Sequence, residues 1–269
     1  MNDVQRPIAF IDSGVGGLTT FKSALSVIPN ENTIYIGDEL HLPYGPKSKD
    51  EIKKFVWQMI GFLMNENIKM LVIACNTATA AALTDLQKKL KIPVIGVINP
   101  GVQAAAKATK NNKIGLIATE GTVKSNVYQK KLLEINGKFN VFSLAIPKFV
   151  SLVESGKYND LSIKPIVAKE LSPMLKKHID TLIMGCTHYP LLKPFIQDVM
   201  GNDVSLIDSG IESVKVVQSL LNFYNLNNYK NNNPKHQFYT TGNIEHFNCI
   251  AKKWLNNDNF KSYHLNLGE

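Results

Sequence analysis

The chain has 269 residues, 44% of them apolar, and a formal net charge of +8 at neutral pH. That length supports a well-buried core as one large or two modest domains. No apolar run approaches the ~20 residues needed to cross a bilayer. The N-terminus has no apolar signal region, because a strand begins by Pro7. A cytoplasmic, globular α/β protein without membrane contact is expected.

The basic residues number 30, and Arg6 is the sole arginine. Guanidinium forks dominate base reading and bidentate phosphate contacts, so nucleic acid is not an expected partner. The lysines interleave with acids, as in KDEIKK and LQKKLK, and read as solvated helix faces. Three cysteines, Cys75, Cys186 and Cys249, argue against a disulfide framework. Without CxxC spacing or an HExxH helix, no structural zinc is expected.

In chain order, Ile8 to Ile11 is a short buried strand that ends in Asp12-Ser13-Gly14-Val15-Gly16-Gly17. This turn invites a dinucleotide reading, but the GxGxxG pattern needs a third glycine where Thr19 stands. A turn whose backbone N–H groups approach a carboxylate fits better. Thr33 to Gly37 is a second strand, followed by a Pro/Gly-dense loop in which Pro43-Tyr44-Gly45-Pro46 forms a rigid turn able to approach a ligand. Ile52, Phe55, Val56, Met59, Ile60 and Leu63 follow helical spacing.

Leu71 to Leu83, LVIACNTATAAAL, reads as strand, thiol and helix. Pro93 to Ile98 is another strand, and Asn99-Pro100-Gly101 breaks the chain at a crossover. Ile114 to Ala118 restarts the pattern, with Thr119 and Thr122 as helix caps or ligand hydroxyls. Asn140 to Ala145 is a strand. Glu154 falls near a helix end, where a solvated acid is the default. Pro165 to Lys177 is helical, with Pro173 at a kink. Leu182 to Leu192, LIMGCTHYPLL, repeats the earlier form: apolar strand, Cys186, then Thr187 and His188 before a helix start. Val204 to Ile207 is a strand, and Asp208-Ser209-Gly210 crosses back. Asn225 to Asn233 is Asn-rich and reads as a flexible loop. His236 to Thr240 and a helix near Ile250 to Leu255 complete the fold, with Cys249 as a buried filler.

The order of elements describes two similar, pseudo-symmetric α/β lobes with parallel-rich sheets and a cleft between them. Residues 1–98 with 208–269 form the first lobe and 99–207 the second. Each lobe presents one thiol from a strand end, just before a helix N-terminus, where the dipole favours thiolate. Asp12 is the candidate proton partner of Cys75, and His188 of Cys186. Two thiols facing one cleft suit stereoinversion without a cofactor. One thiolate removes a proton and the opposite thiol returns one. Substrate carboxylates then fall to backbone N–H groups and to Ser13, Asn76, Thr77, Thr119, Thr122 and Thr187. The residues alone reach a two-thiol acid/base enzyme on a small anion.

The segments IDSGVGGLT (Ile11 to Thr19), PYG (Pro43 to Gly45), ACNTA (Ala74 to Ala78), ATEGTVKS (Ala118 to Ser125), FVSLVE (Phe149 to Glu154) and GCTHYPLL (Gly185 to Leu192) resemble the glutamate racemases, within the cofactor-independent aspartate/glutamate racemase superfamily. Ser151 replaces the family's proline within FVPLVE, and Ile146-Pro147 replaces its usual step before that helix. The resemblance implies interconversion of L- and D-glutamate, supplying D-glutamate for peptidoglycan, by an enzyme that forms a homodimer. It implies that Cys75 acts on the D-isomer with Asp12, and Cys186 on the L-isomer with His188. Substrate contacts would fall on Asp12-Ser13, Tyr44-Gly45, Asn76-Thr77 and Thr187-His188, with Glu154 supporting His188. The alternatives are a related aspartate or hydantoin racemase or decarboxylase, and a non-catalytic amino-acid-binding protein.

Overall fold

The computed structural model describes residues 3–268. Short apolar runs become strands, and each passes into a helix that covers the sheet. The chain opens with β1 (Ile8–Asp12), α1 (Leu18–Val27), β2 (Thr33–Gly37), α2 (Lys49–Asn65), β3 (Met70–Ile73), α3 (Asn76–Lys89), β4 (Val94–Gly96) and α4 (Ile98–Ala108). It continues with β5 (Lys113–Ala118), α5 (Glu120–Lys124), α6 (Val127–Ile135), β6 (Asn140–Ala145), α7 (Lys148–Glu154), α8 (Lys164–Leu175), β7 (Thr181–Gly185), α9 (Lys193–Met200) and β8 (Ser205–Asp208). Then α10 (Ser209–Phe223), β9 (His236–Thr240), α11 (Ile244–Leu255) and β10 (Tyr263–His264) complete it.

The strands form a six-stranded sheet, β10-β9-β2-β1-β3-β4, and a four-stranded sheet, β6-β5-β7-β8. Adjacent strands pair in parallel in both. The block β2-β1-β3-β4 has the same order as β6-β5-β7-β8, so the repeat seen in the sequence is a repeat of topology. In each block the chain leaves the first strand to one side and returns on the other. That leaves a crevice at the carboxyl ends of β1/β3 and β5/β7, where open α/β sheets place their sites. Strands β1, β2, β3 and β7 are buried along their whole length, which explains their unbroken apolar runs.

One apolar cluster runs from Phe10 and Tyr35 of the larger sheet and Phe21 of α1, through Val214 and Val217 of α10, to Phe149 and Tyr189 beside the smaller one. Burying each of these side chains contributes on the order of 1.5–3 kcal/mol. The two sheets are therefore joined through a common core as well as through the chain.

Five expectations are corrected. Asn99-Pro100-Gly101 does not break the chain: it lies in the first turn of α4, where proline's missing N–H has no intrahelical partner to lose. That first turn also shortens the preceding strand to Val94–Gly96. The last long helix starts at Ile244, capped by the Asn243 side chain, six residues before the apolar spacing becomes clear. Cys249 on that helix is exposed and fills no core. The Asn-rich stretch is pinned: the Asn228 N–H donates to Glu31 Oε1 at 2.9 Å and Asn231 Nδ2 donates to the Asn30 carbonyl at 3.1 Å. Glu31 in turn pairs with buried Lys69 at 2.5 Å.

Candidate active site

Cys75 lies one residue beyond β3, after Ala74, and is the N-cap residue of α3. Its Sγ accepts from the Ala78 N–H at 3.4 Å. Small residues after it, Asn76-Thr77-Ala78, let the helix begin without crowding the sulfur. Burial pushes the Cys75 thiol up to about 12, and the Asp12 carboxylate adds to the rise. The Ala78 N–H and the Ser13 hydroxyl pull the other way but do not win. The dipole argument therefore fails for this cysteine: desolvation outweighs the helix terminus.

Asp12 ends β1, one strand over, and is 1% exposed. Its Oδ1 accepts from the Gly14 N–H at 3.1 Å, and Oδ2 has no partner among the described residues. Burial raises the Asp12 carboxyl to about 6, against the opposing charge of His188 and the N–H groups of Gly17 and Gly14. The glycine-rich turn after Asp12 has a steric reason. A Cβ on Gly16 would sit 2.4 Å from Thr187 Oγ1 and 2.5 Å from His188 Cε1. Glycine there lets the turn after β1 touch the turn after β7.

Cys186 follows β7, but a 3₁₀ turn (Tyr189–Leu192) comes next and α9 starts only at Lys193. Pro190 and Pro194 lie at the first turns of these two elements and supply no N–H. The expected helix terminus is absent here, and a side chain supplies the local charge instead. Cys186 Sγ lies 3.8 Å from His188 Nδ1, and His188 Nε2 lies 3.1 Å from Glu154 Oε1. Burial pulls the His188 imidazolium down, but hydrogen bonds to Cys186 and Glu154 outweigh it, and its pKa is pushed up to about 10. The default reading of Glu154 as a solvated acid is thus corrected, since it is the ion-pair partner of a buried histidine. The Thr19 hydroxyl donates to the Thr187 carbonyl at 2.7 Å and ties this turn to α1.

Both thiols open onto one pocket between the sheets. Ser13, Leu42, Pro43, Tyr44, Gly45, Cys75, Asn76, Thr77, Thr119, Val150, Gly185, Cys186, Thr187 and His188 line it. It encloses ≈ 410 Å³ of non-atom space, its mouth included, within the range of small-molecule sites. No lysine or arginine is in the lining. A larger cavity, ≈ 1080 Å³, lies between α3, α4 and α10 and holds none of these groups. Asp12, Thr122 and Glu154 stand behind the lining. Thr77 Oγ1 lies 2.8 Å from Thr119 Oγ1 and 3.1 Å from Thr122 Oγ1, so the three hydroxyls form a small network bridging the two sheets. Thr119 also caps α5, so it serves both as helix cap and as pocket hydroxyl. Tyr44 is buried, its hydroxyl donating to Asp38 Oδ2 at 2.5 Å, which fixes the turn that carries Gly45.

The sequence pattern of the Asp/Glu/hydantoin racemase family matches residues 20–217. The chain belongs to this family. Within it, the glutamate racemase of Carnobacterium sp. (strain St2) is 53% identical over 266 residues, covering 98% of this chain and 99% of its own. The solved glutamate racemase isoform RacE1 from Bacillus anthracis superposes with a TM-score of 0.92 at 43% identity, covering 97% of each chain. That of Francisella tularensis, solved in complex with D-glutamate, gives 0.90 at 37% identity over 98% of each. The doubly repeated α/β architecture found here is therefore the architecture of the family.

Two residues at the site escaped the sequence. Thr19 was visible only as the residue that spoils a dinucleotide pattern. Tyr128, in the short helix α6, donates to Asn76 Oδ1 at 2.7 Å. Nothing in the spacing around Tyr128 separates it from an ordinary core aromatic.

Proposed function

We propose that this protein interconverts L- and D-glutamate through two thiols acting on opposite faces of the α-carbon. The observation that carries the reading is the presence of Cys75 and Cys186, from equivalent strand ends of two sheets, in one pocket. In the L-to-D direction the Cys186 thiolate, paired with the His188 imidazolium, takes the α-proton and becomes a thiol. The electron pair stays on the α-carbon as a carbanion. The Cys75 thiol then gives its proton to the opposite face and becomes a thiolate. In the reverse direction Cys75 is the base, and Asp12 is the group placed to hold its proton. The lining hydroxyls and the Asn76 amide take the substrate carboxylates, since no lysine or arginine lines the pocket. Donors fixed before the reaction and a closed pocket lower the cost of the carbanion.

Residues 1–98 with 208–269 act as one lobe and 99–207 as the other. The protein works in the cytoplasm as a homodimer and supplies D-glutamate for the cell wall. Exposed Phe223, Tyr224 and Tyr229 offer apolar surface to a second copy. Among the described residues no helix is long and apolar enough to cross a membrane.

The test is incubation with L-glutamate in D2O, following optical activity and α-deuterium together. Loss of rotation with deuterium entering the product is expected. Folded, reduced protein that leaves L-glutamate unchanged, with no deuterium at the α-carbon, would end this reading.

A further inference from the structure

Asn76 is the first residue of α3, is 3% exposed and lines the pocket. Its Oδ1 accepts from the Tyr128 hydroxyl at 2.7 Å, whereas its Nδ2 has no partner among the described residues. A buried amide donor left empty is costly, on the order of 1–3 kcal/mol, and such a group is a candidate for completion by a ligand. An amide can present either end. Rotated by half a turn, Asn76 would offer its oxygen to the pocket and repel a carboxylate.

Tyr128 removes that freedom. It is 1% exposed and packs among Ile98, Val102 and Leu132. Burial holds its phenol well above the ordinary tyrosine range, so the hydroxyl remains a donor at any working pH. A Cβ on Gly101 would crowd Ser209 Cβ at 2.9 Å and only touch the hydroxyl oxygen at 3.4 Å, so the glycine makes room for Ser209 beside the phenol. Tyr128 belongs to α6 beside the smaller sheet, and Asn76 to α3 beside the larger one. One side therefore orients a substrate-facing group of the other.

We propose that Tyr128 is a positioning residue that holds the Asn76 amide with its NH2 group turned into the pocket to meet a substrate carboxylate. The substrate in this statement rests on the glutamate reading; the orientation of the amide does not. Tyr128 acts only when the two sheets are docked, so a competent Asn76 reports a closed pocket.

Tyr128→Phe keeps the ring and deletes the hydroxyl. The expected result is a KM for either glutamate isomer raised roughly tenfold, with kcat within about twofold, as one oriented hydrogen bond is lost. A structural role alone would lower the active fraction, and hence kcat, and leave KM in place. In an Asn76→Ala background the same change should add less than about twofold, because Tyr128 works through Asn76. A wild-type KM in Tyr128→Phe, or losses that multiply in the double variant, would overturn the proposal. A readout without substrate is the Asn76 side-chain amide pair in a 15N spectrum, assigned by its disappearance in Asn76→Ala. Tyr128→Phe should shift and broaden that pair, and an unmoved pair counts against the proposal even if the wild type proves inert towards glutamate. Inertness by itself would remove only the glutamate reading.

Discussion

Cys75 and Cys186 occupy equivalent places in two sheets of the same strand order, yet the chemistry around them differs. Cys75 is held as a thiol by burial and by the neighbouring carboxylate of Asp12. Cys186 faces a histidine kept cationic with the help of Glu154. The repeat copied the backbone and not the electrostatics. A two-thiol racemase needs this difference. Two identical surroundings would tend to leave both sulfurs in the same protonation state, whereas each turnover requires one acid and one base. In the proposed mechanism Cys186 is the base and Cys75 the acid when the L-isomer is accepted, which matches the histidine beside the one and the burial of the other.

The largest effect should come from removing either sulfur. Cys75→Ala and Cys186→Ala should each lower kcat/KM roughly 10³-fold or more, the scale of a lost general acid or base. The equilibrium constant between enantiomers is one, so kcat/KM must fall equally in both directions whichever thiol is removed. The asymmetry must be sought elsewhere, in which isomer still exchanges its α-proton with D2O. Cys75→Ala should retain exchange on L-glutamate, and Cys186→Ala on D-glutamate. The opposite assignment would show that the two faces have been exchanged in this reading. Full turnover in either variant would remove the two-thiol mechanism.

Asp12→Asn probes the Cys75 half at an intermediate scale. Without a carboxylate to hold the Cys75 proton, kcat/KM should fall roughly 10- to 100-fold. The acid limb of the pH profile, expected near the Asp12 value of about 6, should disappear. Stability should move the other way. The folded carboxyl titrates above its unfolded value of 3.8, so below pH 3.8 both states hold the proton and nothing is lost. Between 3.8 and about 6 the folded state keeps a proton that the unfolded state has released, and stability falls as pH rises. Above that window the native state carries a deficit of at most about 3 kcal/mol, from roughly two pH units at 1.36 kcal/mol each. Asp12→Asn should recover part of it at pH 7 and none at pH 3, read from urea midpoints. A variant less stable than the parent at pH 7 would mean that the buried charge is better satisfied than its unpartnered Oδ2 indicates.

The contrast between the two halves also marks what a sequence can carry. Strand ends, thiols and the small residues after them are local patterns, and IDSGVGG, ACNTA and GCTHYPLL made them legible. The parallel sheets followed from apolar runs alternating with helical spacing. Three kinds of fact were not local. Whether Glu154 is a solvated acid or a histidine partner depends on α7 meeting the turn after β7, a contact spanning 34 positions. The Tyr128 hydroxyl reaches an amide 52 positions away. Burial also decided against a helix dipole at Cys75, and a dipole can be read from spacing while desolvation cannot. Asn99-Pro100-Gly101 shows the converse error. Its composition signals a break, but position within the first turn of a helix removes the penalty on proline.

The smallest expected effect gives the sharpest view of the Cys186 half. Glu154→Gln keeps an oxygen that can accept from His188 Nε2 and removes the negative charge. Near pH 7 the imidazole should remain protonated, because its pKa of about 10 leaves a wide margin, and kcat/KM should change by no more than about threefold. The alkaline limb is where the charge is read. His188 loses its proton near 10, before the Cys75 thiol does near 12, so His188 sets that limb. Glu154 is partly exposed, and loss of its charge should lower the limb by roughly one unit. The Asp12 limb near 6 should not move. A profile of kcat/KM from pH 5 to 11 for parent and variant decides the matter. An alkaline limb that stays in place would mean that Cys186 alone holds His188 in its charged form, and that Glu154 only orients the ring.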